Sequence, residues 1–94
     1  MDTYRVNTNA LKGARMTLGK TQKRLAMDLG MPASTYGVKE RGEILFSIPE
    51  MLDVVSVLNL DYDSFNTIFC QGKLPYHVVS YNKPYGGIIN QNEG

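Results

Sequence analysis

The sequence predicts an all-α protein: a compact five-helix domain over residues 1–70, followed by a C-terminal extension over 71–94. Three observations predict it. Apolar residues recur at helical spacing throughout the first part, capping residues precede the apolar runs, and glycines follow several of them. With 94 residues and 43% hydrophobic content, the chain can build one modest core rather than two.

Leu11, Ala14, Arg15 and Leu18 share one helical face, after an Asn7-Thr8-Asn9 cluster able to cap and before Gly19. Thr21 caps a second helix whose inner face is Leu25, Ala26 and Leu29, and Gly30 supplies the turn out of it. A third helix runs from about Pro32 to Arg41, because proline's fixed φ suits a first turn; Tyr36 points inward and Gly42 ends it. Ser47-Ile48-Pro49-Glu50 has the Ser-x-x-Glu pattern of a capping box and opens a fourth helix with Met51, Leu52, Val55 and Leu58 on its face. Asp61 caps a fifth, which holds Phe65, Ile68 and Phe69.

Beyond Gln71 the pattern breaks. Gly72, Pro75, Pro84 and Gly86-Gly87 punctuate a segment that still carries Tyr76, Val78, Val79, Tyr81, Tyr85, Ile88 and Ile89. Tyr76 to Tyr81 reads either as a strand, alone or in a hairpin, that pairs with the same segment of a second copy to make a dimer, or as a loosely held tail.

Net charge is only +1, but it is unevenly spread. Up to residue 45 there are eight Lys/Arg against four acids, and the remainder carries two cations against five acids. Such asymmetry suggests an anionic partner for the N-terminal half. No apolar run reaches the ~20 residues of a membrane span and no signal-peptide layout opens the chain, so a cytoplasmic protein without a membrane partner is expected. Cys70 and His77 are each alone, which leaves no thiolate zinc set and no nucleophile with a positioned partner. No catalysis, metal or cofactor is expected.

The informative stretch is Thr21 to Gly42, TQKRLAMDLGMPASTYGVKERG. Ala26, Gly30 and Tyr36 satisfy one physical requirement together: a small residue lets two helices approach, glycine makes the turn, and an apolar residue of the second helix fills the space beneath. With LKGAR before it and IPEMLDVVSVLNLDYDSF after it, this stretch resembles the phage repressor and Cro-like (XRE-type) helix-turn-helix family over residues from about 8 to 69. The resemblance implies the lambda-repressor-like five-helix fold and regulation of transcription by binding operator DNA as a homodimer.

Carried over by position, the outer stripe of the third helix faces DNA bases through Ala33, Ser34, Gly37 and Val38. Thr21 and Gln22 at the mouth of the second helix, with Lys20, Lys23, Arg24 and Arg41 around them, are the expected phosphate contacts. Lys23 and Arg24 fit this reading because cations in a first helical turn oppose the helix dipole by ~0.3–1 kcal/mol unless an anion lies near. In the family, residues at the Arg15 and Glu40 positions can form an ion pair joining the first helix to the end of the third. The base-facing stripe is plain: Ala33 and Val38 suit thymine methyl groups, Gly37 allows close approach, and DNA shape is left to supply much of the discrimination.

A sequence-specific regulator of phage or mobile-element type, bound to double-stranded operator DNA, is therefore the first expectation. The second belongs to another class: a protein-binding helix-turn-helix, such as an antirepressor, whose Ala33, Gly37 and Val38 accept the apolar side chains of another regulatory protein.

Overall fold

The computed structural model describes residues 5–75, and these form five helices and no strand. The elements are α1 (Thr8–Thr17), α2 (Gln22–Asp28), α3 (Ala33–Glu40), α4 (Ile48–Leu58) and α5 (Tyr62–Cys70). Among the described residues, no helix is long and apolar enough to cross a membrane. The strand or hairpin expected at Tyr76–Tyr81 falls outside the described residues.

Four of the five helices begin at the side-chain cap that the sequence suggests. The Asn7 side chain accepts the Ala10 N–H, Thr21 accepts that of Arg24, and Asp61 accepts that of Ser64. Ser47 and Glu50 close a complete capping box, each side chain bonded to the other's backbone. Such caps matter because the first amides of a helix have no intrahelical acceptor, and each cap contributes about 1 kcal/mol. Pro32 stands at the N-cap of α3 and has no side-chain bond to offer. The α2–α3 turn depends on Gly30 at φ 71°, where a side chain would be strained.

The core gathers one or two residues from every helix: Leu11, Leu25, Ala26, Tyr36, Val54, Leu58, Ile68 and Phe69, joined by Phe46 from the α3–α4 connection. Phe46 lies between Tyr36 and Phe69, with ring centroids 6.2 and 5.4 Å away and both contacts edge-on. Edge-on packing sets the positive rim of one ring against the negative face of the next. The Asn7 N–H donates to the Ile68 carbonyl at 2.7 Å and so ties the start of α1 to α5.

Two inner-face assignments from sequence are corrected. Leu18 is the C-cap of α1 and is half exposed, because the helix ends at Thr17 and Gly19 turns the chain away at φ 69°. Leu52 is 59% exposed, and Val54 takes the buried place instead. Apolar residues occur nearly all round α4, so spacing alone does not mark its inner side.

Candidate nucleic-acid interface

The helix pair α2–α3 is held from below by a buried polar cluster centred on Glu40. Arg15 Nε donates to Glu40 Oε1 at 2.9 Å and Nη2 to Oε2 at 3.3 Å. The Tyr36 hydroxyl donates to Oε1 at 2.6 Å and Gln22 Nε2 to Oε2 at 2.8 Å. The remaining Arg15 nitrogen, Nη1, donates to the Lys20 carbonyl at 2.8 Å, and the Thr8 hydroxyl donates to the Glu40 carbonyl at 2.9 Å. One carboxylate thus joins α1, α2 and α3, and the ion pair implied by the family resemblance is present.

Burial alone raises the pKa of the Glu40 carboxyl, but the donors from Arg15, Tyr36 and Gln22 outweigh it and hold it below its usual value. The same contact with Glu40 raises Arg15, while burial raises the Tyr36 hydroxyl. A charged pair out of water is tolerable only when it is well hydrogen-bonded, and here all three guanidinium nitrogens and both carboxylate oxygens have a partner.

Above this cluster lies the outer face of α3, where Ala33 and Ser34 are exposed and Val38 is half-buried. Gly37 is buried, which its sequence assignment as a base-facing residue did not anticipate. Arg41 is the reason: a Cβ built on Gly37 would stand 3.3 Å from Arg41 Nη1 and 3.9 Å from Gln22 Oε1. The Arg41 guanidinium folds back over the middle of the stripe rather than staying at its far end. Its Nε donates to Glu43 at 2.7 Å, an exposed pair that lowers the Glu43 carboxyl.

Gln22 occupies the mouth of α2 as expected, and one N–H of its side-chain amide donates to Glu40. The second N–H is left for another acceptor, and the amide oxygen lies near Gly37. The Thr21 hydroxyl is engaged in capping α2.

The basic rim is partly neutralised. Lys20 Nζ lies 2.7 Å from Asp28 Oδ2 and Arg24 Nε lies 3.2 Å from Asp28 Oδ1, so one carboxylate takes two of the four expected cations. Lys20 is the larger cause of the lowered Asp28 pKa. Lys23 is exposed and has no ionic partner among the described residues. Asp28 is legible as a partner from sequence as well, because it stands four residues after Arg24, the spacing at which helical side chains meet. Lys39 is drawn the other way, to Glu50 of the capping box, and connects α3 to α4.

A comparison with family models finds no match for this chain, and neither does a comparison with curated proteins.

Proposed function

We propose that this chain is a Cro-like helix-turn-helix regulator that binds double-stranded operator DNA as a homodimer, with α3 in the major groove. The observation that carries this reading is the Glu40 cluster. It fixes the angle of α3 against α1 and α2 through three side-chain donors, two from Arg15 and one from Gln22, and it leaves Ala33, Ser34 and the Arg41 guanidinium on the outer side. A rigid mount of this kind suits a helix that must enter a groove about 12 Å wide. Lys20, Lys23 and Arg24 flank the same side as candidates for phosphate contact, Lys23 foremost because no acid competes for it.

A second reading, a protein-binding module such as an antirepressor, is favoured by one specific observation. Asp28 and Glu43 pair with three of the four rim cations, which weakens the attraction for a polyanion. Titration of the full chain against duplex DNA at several salt concentrations separates the two. Counterion release requires DNA affinity to fall steeply as salt rises, whereas an apolar protein contact has no such dependence. A flat salt response would favour the protein-binding reading.

A further inference from the structure

After α5 the chain reverses. Gln71 and Gly72 both take positive φ, 56° and 71°, and the Gly72 and Lys73 N–H groups return to the Asn66 and Cys70 carbonyls at 3.0 and 2.9 Å. The next residues run back along α5 toward its N-terminus. Asn66 grips Leu74 twice, its Nδ2 donating to the Leu74 carbonyl at 3.1 Å and its Oδ1 accepting the Leu74 N–H at 3.0 Å. One helical turn earlier, the Tyr62 hydroxyl donates to the Pro75 carbonyl at 2.8 Å. Asn66 is buried, so these bonds satisfy an amide that would otherwise be costly to leave unpaired.

Tyr62 also lines a groove of about 230 Å³ between α4 and α5, with Leu52, Val55, Leu60 and Phe65 as its other apolar walls. The described chain therefore ends at the rim of an apolar trough. One turn further along α4 from Leu52, Ile48 extends the same side and is 70% exposed. The neighbouring hollow at Asp63, Asn66, Thr67, Gly72 and Leu74 is more polar and has no comparable apolar wall.

We propose that the C-terminal segment of this chain packs into its own α4–α5 groove, beginning with Tyr76. Nineteen residues follow Pro75; seven of them are Tyr, Val or Ile, and only Lys83 and Glu93 carry a full charge. Length fits as well: the six residues 76–81 span ~20 Å if extended, and the eleven residues of α4 span ~16 Å. The segment needs apolar cover, the groove needs an apolar occupant, and Tyr62 and Asn66 direct one to the other. This inference is independent of the DNA reading.

The test is carried out on the full chain in a Cys70→Ser background, with a nitroxide spin label on Ser80→Cys and isotope-labelled Leu and Val methyls. The expected result is loss of the Leu52, Val55 and Leu60 methyl signals while Leu11 and Leu25 in the core keep theirs. That loss must persist when the labelled protein is diluted with unmodified copies, because the contact is within one chain. Undiminished signals at all three residues would overturn the proposal. A loss that disappears on dilution would also overturn it, by assigning the groove to the segment of a second copy. If the doubly substituted chain does not fold, Overhauser contacts from the Tyr76 or Tyr81 ring to Leu52 or Val55 in the unmodified chain decide the same question.

Discussion

The Arg15 guanidinium and the Glu40 carboxylate meet in a two-point contact, Nε to Oε1 at 2.9 Å and Nη2 to Oε2 at 3.3 Å, with both side chains almost wholly buried. Twenty-five positions apart in sequence, they fix the first helix to the end of the third. Replacing Glu40 by Gln keeps the shape but leaves a buried guanidinium without its counter-charge, and a loss of about 3–5 kcal/mol in unfolding free energy is expected. Urea denaturation measures it. A loss below ~1 kcal/mol, typical of an exposed pair, would contradict the role given to the cluster.

The same pair predicts how stability varies with pH. The Glu40 carboxyl is held below the value of 4.5 usual for a glutamate, so the folded state binds this proton less readily than the unfolded chain does. Its contribution is present above the ordinary value and is lost as pH falls through the lowered one. Thermal unfolding followed from neutral pH into the acid range should show a decline that begins near the ordinary glutamate value and is shallower in the Glu40→Gln variant. Equal slopes for the two proteins would exclude Glu40 as a source of the decline.

Asp28 pairs with both Lys20 and Arg24 at the surface. Removing its charge with Asp28→Asn should free both cations for phosphate, strengthening binding to all duplex sequences alike and steepening the salt dependence. Lys23→Ala should do the opposite. Fluorescence anisotropy at several salt concentrations reads both changes, and an unaltered slope in both variants would remove this rim from the interface.

Gly37 offers a test of what Arg41 does. A methyl group at this position would press on Arg41 Nη1 at 3.3 Å, the far end of a flexible side chain that can swing aside. Alanine also favours a helix over glycine by up to about 1 kcal/mol, so Gly37→Ala should keep or slightly raise the melting temperature. Base preference should nonetheless change, because the guanidinium no longer rests over the middle of the stripe. Unchanged preference in a selection of DNA targets would place Arg41 outside base readout.

Much of this architecture was legible in the sequence, for reasons that are local. Thr21, Ser47 and Asp61 cap their helices as single residues can, and Gly30 turns the chain wherever positive φ is required. Tyr36 was recognisable as an inward residue because it must fill the space that Ala26 and Gly30 create. Leu52 and Leu18 were misplaced for want of information that spacing does not carry: α4 is apolar on too many sides, and α1 stops one residue before Leu18. Phe46 lies in a connection, where no period marks a residue as buried, yet it stands at the centre of the aromatic cluster.

The candidate site was legible in its residues more than in its contacts. Gln22 was placed at the mouth of α2 correctly, but which of its amide atoms faces outward depends on Glu40, eighteen positions away. Gly37 seemed bare because the return of Arg41 over it is a matter of rotamer choice and not of spacing.

Selection of bound duplexes from a random DNA pool by the full-length protein tests the central claim most directly. A homodimer with one recognition helix per copy should enrich a palindrome whose half-sites lie about one helical turn apart, ~34 Å, since two-fold symmetry in the protein is matched by two-fold symmetry in the site. Enrichment of such a motif is the predicted result. A pool that stays random through successive rounds, while the protein remains folded and in solution, would contradict sequence-specific DNA binding.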